Sequence, residues 1–232
     1  MFKLAVFVEG LTEQVFLERL VREIAGQKGI EVVHHRMHGG DRAIHTISSL
    51  EAKSPVGTEY LVLIVNCSSD NTVASDIRDN YDSLAAKGYS AIIGIRDVFP
   101  KFSHSDIPKL RAGLRFKIKT NPIPVNFVLG VMEVEAWFIA EHTHFTKIDS
   151  ALTNPSIQAT VGFDPSTVDS TTLANPAKDL HDIYKIVNLA YRKHQNQIQR
   201  TVNALDYAKM YVDLRGITDF GVLIQEIDKF LG

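Results

Sequence analysis

Cysteine is nearly absent from this chain: one residue, Cys67, among 232. That excludes an internal disulfide and any multi-cysteine zinc centre. No apolar run approaches the roughly 20 residues of a membrane-spanning helix. The first residues show neither the basic start nor the small-residue cleavage site of a signal peptide. The expectation is a cytoplasmic protein. A surplus of charge is lacking too. The 25 Lys and Arg against 27 Asp and Glu leave a net charge of −2. No global field therefore draws the chain to nucleic acid, and such a partner would need a local basic face. Internal repeats, low-complexity tracts and a Walker-type nucleotide motif are also missing, so any use of ATP would require a partner subunit.

What is present is an ordinary globular composition, 45% hydrophobic and 22% charged, long enough for one large domain or a domain with a helical appendage. The first 140 residues alternate strand and helix patterns. Leu4 to Val8 is β-branched and aromatic, ends in Glu9-Gly10, and precedes an amphipathic helix that Thr12 can cap, with Val15, Phe16, Leu20 and Val21 as its apolar stripe. Ile30 to Met37 reads as a second strand, and Asp41 to Ala52 as a helix. Glu59 to Val65 is an unbroken apolar strand, as expected at the centre of a parallel sheet. A loop and helix follow to Lys87, then a strand from Ser90 to Arg96 that ends at Asp97. Pro100 to Asn121 is polar and basic, a helix with loops. Val125 to Val134 reads as a fifth strand, running into a helix from Ala136 to Glu141. This alternation predicts an α/β fold, a mostly parallel sheet with flanking helices. Residues 144 to 177 form a long polar connection with one short helix. From Pro176 the pattern is helical, broken near Arg215-Gly216. The expected organisation is an α/β domain over 1–143 and, over 144–232, the connection and a helical C-terminal subdomain packed on it.

Carboxylates recur where strands end. Glu9 follows the first, Asp70 the third, Asp97 the fourth, and Glu133 and Glu135 alternate in VMEVEAW, where a strand would put both on one face. Ligands of parallel sheets gather at the carboxyl ends of strands. Clustered carboxylates repel unless a cation sits between them, and oxygen-rich sites suit Mg²⁺ or Mn²⁺ with substrate phosphate. Such an ion activates water and neutralises charge on a phosphoryl group.

Three segments in order, FVEGLTEQVFLERL, IIGIRD and VMEVEAWFIAE, resemble the TOPRIM-like proteins found among bacterial defence and mobile-element genes. In TOPRIM domains a Glu-Gly follows the first strand and a later strand ends in an Asp-x-Asp pair. Together these acids bind Mg²⁺ in topoisomerases, primases and nucleases of the overcoming-lysogenization-defect type. One branch adds a Glu-x-Trp segment and a helical tail. The match runs from about residue 3 to residue 142, and loosely through the tail. It implies Glu9 as the first-motif acid, Asp97 as the first Asp of the pair, and Glu133 or Glu135 as the acid before Trp137. The second Asp would fall at Phe99, which cannot bind metal. Asp70 could substitute for it, or the site could be weaker than in active relatives. A second registration takes NCSSD as the pair, with Asn66 replacing the first acid. The sequence leaves these alternatives open.

Other features weigh less. His34 and His35 point to opposite sheet faces, His38 follows in a loop, and His142 and His144 are spaced as a ligand pair in extended chain; solvated or hydrogen-bonded histidines are the expectation. Gly39-Gly40-Asp41-Arg42 has the glycines and arginine of a phosphate cradle but not the length or Lys of a P-loop. Trp137 reads as a core anchor. Lys101, Lys109, Arg111 and Arg115, with Arg96, Lys117 and Lys119, form the local basic stretch expected to contact DNA or RNA phosphates. Lys185, Arg192, Lys193 and Arg200 in the tail are a second basic group, more in keeping with a solvated helix. The leading expectation is a Mg²⁺- or Mn²⁺-dependent phosphodiester hydrolase, a TOPRIM-like nuclease of phage defence with an ATPase partner, using Glu9, Asp97, Glu133 and Glu135. No motif around the seven tyrosines indicates a covalent nucleophile. The alternatives are a non-catalytic partner module with a degenerate metal site, and hydrolysis of a small phosphorylated metabolite.

Overall fold

In the computed structural model, residues 1–37, 57–69 and 72–232 are described. The helix read over Asp41 to Ala52, His38, the Gly39-Gly40-Asp41-Arg42 turn and Asp70 lie outside them. Five strands, β1 (Phe2–Val8), β2 (Ile30–Arg36), β3 (Tyr60–Asn66), β4 (Ala91–Asp97) and β5 (Val125–Gly130), form one sheet in the order β2-β3-β1-β4-β5. All run parallel. Val8 lies opposite Asn66, and β4 pairs with β1 from Leu4↔Ala91 to Phe7↔Gly94. The strand order changes direction at β1, so the carboxyl ends of β3, β1 and β4 form the rim where ligands of such sheets bind.

Ten helices are described: α1 (Leu11–Ala25), α2 (Val73–Ala86), α3 (Ile107–Arg115), α4 (Glu135–Ala140), α5 (His144–Ile148), α6 (Asn154–Val161), α7 (Pro176–Lys185), α8 (Gln195–Ala204), α9 (Tyr207–Asp213) and α10 (Thr218–Leu231). Among the described residues no helix is long and apolar enough to cross a membrane. The chain divides into two compact units. The first comprises Met1–Arg96, Asp106–Val128 and Gln225–Gly232, and the second comprises Asp97–Ser105 and Leu129–Ile224.

In the first unit the period-2 alternation of the strands sends Ala5, Phe7, Leu63, Val65 and Ile92 into one core with Val73, Ile77, Tyr81 and Leu84 of α2. The stripe of α1 buries Phe16, Leu17, Leu20 and Val21, whereas Val15 is only half-buried. Gly10, not Thr12, is the N-cap of α1; its N–H donates to the Glu13 carboxylate at 3.0 Å, and Thr12 is buried inside the first turn. The last turn of α10 is tied to this unit by Tyr60, whose hydroxyl donates to the Leu231 carbonyl at 2.8 Å.

Two further readings from sequence need correction. The fifth strand stops at Gly130 rather than Val134: Val98 and Phe99 direct their N–H groups to the Gly130 and Met132 carbonyls, the chain bends, and the i+3 bonds Ala136→Glu133 and Trp137→Val134 open α4. An apolar run with alternating acids fits a strand or a buried helix start, and local hydrogen bonding decides. The polar stretch over 144–177 carries two helices, α5 and α6, and a 3-10 turn at Ser170–Thr172. Its side-chain caps (Thr153 on the Ser156 N–H, Asp169 on the Thr171 N–H, Asn175 on the Lys178 N–H) explain why Thr, Asn and Asp are abundant there.

Candidate metal centre

Asp97 closes β4, and Glu133 and Glu135 flank the turn from β5 into α4. All three belong to the second unit, and all three are buried, Glu135 completely. The turn brings the two glutamates together although they share no strand face. Gly130 makes room: a Cβ there would collide with Asp97 Oδ1 and the Val134 backbone nitrogen. Val134 N–H instead donates to Asp97 Oδ1 at 3.0 Å, which fixes that carboxylate at the turn. One oxygen from each of Asp97, Glu133 and Glu135 lies within 4.8 Å of the others. Oxygens on opposite sides of a hard cation are about 4.2 Å apart for Mg²⁺ and about 4.8 Å for Ca²⁺, twice the usual metal–oxygen distance. The three carboxylates can hold a divalent ion.

Further groups complete this surrounding. Ala177 N–H donates to Glu133 Oε2 at 2.9 Å, and the Tyr191 hydroxyl donates to Glu135 Oε1 at 2.9 Å. Lys193 Nζ sits 3.0 Å from Glu133 Oε1 and 3.2 Å from Glu135 Oε1. Its backbone is left-handed, with φ 56°, an unfavourable region for a side chain other than Gly or Asn. Three carboxylates this close together form a setting of the kind that suits a divalent cation. Asp179 on α7 feels the same field: burial, then the negative charges of Asp182 and Glu133, raise its pKa against the pull of Lys178.

Glu9 stands in the first unit at the carboxyl end of β1. It is buried, and its Oε1 lies 3.4 Å from Arg96 Nε, also buried. Asn66 spends its side chain on Gln14 and on the Ser68 N–H, at 3.0 and 2.9 Å. Burial and the negative charges of Asp76 and Glu9 push the Cys67 thiol pKa far up, which disfavours its thiolate. Phe99 contributes a backbone N–H to Met132. Among the basic residues, Lys101, Lys109 and Arg115 are exposed and Arg111 is half-buried.

His34 and His144 are engaged by neighbouring protein groups. His34 lies 3.1 Å from Glu18. His144 is fully buried, with Nδ1 on the Glu141 carbonyl and Nε2 3.3 Å from the Tyr184 hydroxyl. Trp137 is a core anchor, 1% exposed and edge-on to Phe220 at 5.3 Å. Sequence reasoning missed Tyr191 altogether and placed Lys193 on a solvated helix face; it lies in the loop before α8. No local signal marks either residue, since each meets acids 56 to 60 positions away.

Comparison of the chain with protein-family models, curated proteins and solved structures finds no match.

Proposed function

We propose that this protein is a Mg²⁺- or Mn²⁺-dependent phosphodiester hydrolase whose metal is held by Asp97, Glu133 and Glu135. The observation that carries this reading is the convergence of three buried carboxylates at the carboxyl end of a parallel sheet. Burial strengthens every charge interaction there, so three carboxylates held together favour a divalent cation between them. The resemblance to TOPRIM-like proteins supports the same chemistry, with Asp97 and the acids before Trp137 as its shared positions. When bound, the ion would activate water and offset charge building on the phosphoryl group. The chain's own residues do the rest. Val134 N–H and Ala177 N–H orient Asp97 and Glu133, Tyr191 orients Glu135, and Lys193, 39% exposed at its side chain, is placed to meet a phosphate oxygen. The cytoplasm, a phage-defence role and an ATPase partner are carried as parts of the same proposal.

A second reading has a specific observation in its favour. Lys193 already bridges Glu133 and Glu135, so the ammonium can be the resident cation of a non-catalytic partner module. Titration with Mn²⁺, followed by assay on bis(p-nitrophenyl) phosphate, DNA and RNA, separates the two. The hydrolase binds Mn²⁺ and cuts a phosphodiester, and loses both in Asp97→Asn. Absence of Mn²⁺ binding in the wild type leaves the partner module.

A further inference from the structure

The C-terminal end of α3, in the first unit, presents an arrangement that the metal centre does not use. Arg115-Phe116-Lys117-Ile118 is a tight turn: Phe116 has φ −65° and ψ 122°, Lys117 has φ 56°, and Ile118 N–H donates to the Arg115 carbonyl at 3.3 Å. These are the angles of a type II turn, whose third position strongly favours glycine. Here that position holds a lysine. Leu114 before the turn is buried, and Ile118 after it packs on the core under α2. Arg78 of α2 pins the turn from the side, donating to the Phe116 carbonyl at 3.1 Å. Phe116, between two inward anchors, stays 64% exposed, with Lys117 Nζ 5.3 Å from its ring centroid.

Cations at a helix C-terminus are favourable in themselves, and a lone exposed apolar side chain needs no explanation. The combination here is different: an exposed aromatic ring on a turn anchored at both sides, a lysine held in a conformation suited to glycine, and an exposed arginine, Arg115, at the end of α3. A base stacks on an aromatic face while cations hold its phosphates, and only unpaired bases can do this. A membrane anchor would need several neighbouring apolar side chains, and Phe116 is the sole large exposed one on α3 and its turn.

We infer that the Phe116 turn is a docking surface for single-stranded nucleic acid, with Phe116 as stacking platform and the exposed Arg115 and Lys117 as phosphate contacts. Lys119 is not counted, since Asp82 pairs with it at 2.7 Å. The inference names a ligand class and does not depend on the metal centre.

The test is fluorescence anisotropy with a labelled 20-mer of thymidine in EDTA, which keeps hydrolysis and metal binding out of the readout. Phe116→Ala and Phe116→Leu should each weaken binding about tenfold, within the range of one lost base stack. Lys117→Gly should keep or raise the melting temperature, because glycine suits the turn, yet weaken binding and flatten the dependence of log K on log salt by about 0.7. Lys229→Ala, on the far end of the sequence, should bind as wild type. Four results would overturn the inference: no binding of the wild type at low salt, unchanged affinity in both Phe116 variants, equal affinity for a duplex of the same length, or binding to phosphatidylserine vesicles with none to the oligonucleotide.

Discussion

Glu9 in the first unit and Asp97 in the second both stand at the carboxyl end of a parallel strand, and both are buried. Their charges are met in different ways. Glu9 lies against the guanidinium of Arg96. Asp97 lies with Glu133 and Glu135, and the Lys193 ammonium bridges the two glutamates. Removing one partner of a buried ion pair is strongly destabilising. A buried excess of like charge draws a cation from outside. The position of an acid after a strand therefore does not tell whether it builds the protein or serves its chemistry; the charge balance around it does.

The largest effect should come from breaking the balanced side. Glu9→Ala, which removes the carboxylate beside Arg96, should cost about 3–5 kcal/mol in urea denaturation, and Glu9→Ala with Arg96→Met should recover most of it. A cost under about 1 kcal/mol would mean that the pair is not the buried unit described. Glu9→Gln should keep any Mn²⁺-dependent rise in melting temperature; losing that rise would return Glu9 to the metal centre.

On the unbalanced side, Mn²⁺ at a hundredfold excess over its dissociation constant should stabilise the wild type by about 2.7 kcal/mol. Asp97→Asn, Glu133→Gln and Glu135→Gln should abolish that gain. Without metal, Asp97→Asn should leave stability unchanged or slightly higher, since one of three repelling charges is gone and the amide oxygen still accepts from Val134 N–H. Lys193→Met sharpens the contrast. If a metal is the natural counter-charge, this variant binds Mn²⁺ more tightly than the wild type; if the ammonium is, it is destabilised and binds none.

Two further carboxylates of the second unit repeat the comparison with smaller effects and opposite pH signs. Burial opposes ionisation of Glu141, but hydrogen bonds from His144, Thr143 and the Asp206 N–H outweigh it and hold its pKa below the ordinary value. A depressed carboxyl stabilises the fold above its ordinary pKa, and that contribution is lost as pH falls through the folded value. Glu141→Gln should thus cost about 2 kcal/mol at neutral pH, with the difference closing in acid. Asp179 is raised, so its ionised form burdens the folded state once pH exceeds the ordinary carboxylate range. Asp179→Asn should give a smaller rise in stability at neutral pH and none in acid. Melting temperatures of both variants from pH 3 to 8 check the signs.

Much of the fold was legible in the residues. LAVFV, EYLVLIV and AIIGIR are β-branched runs bounded by polar turns, and they are strands β1, β3 and β4 within a residue or two. The 3.6-residue stripe of α1 and the breaks around Arg215-Gly216 were legible for the same reason: backbone geometry imposes its period on every side chain along an element. The end of β5 was not, because a run such as VMEVEAWF satisfies either period until Val98 and Phe99 capture the carbonyls beside it. In the candidate site, Asp97, Glu133 and Glu135 could be named from their places after strands, but their meeting could not.

Sequence by itself determined the parallel α/β character, the absence of disulfide and cysteine-zinc chemistry, and a short set of acids at strand ends, all consequences of composition and of periods only a few residues long. Tertiary structure alone decided that Glu9 takes Arg96 as its partner, that Asp97 gathers with the acids of the α4 turn, and that Tyr191 and Lys193 reach them from a loop almost 60 residues on. Charge carries no period along a chain. Which ionic groups meet depends on how distant elements pack, and their net balance exists only once they have.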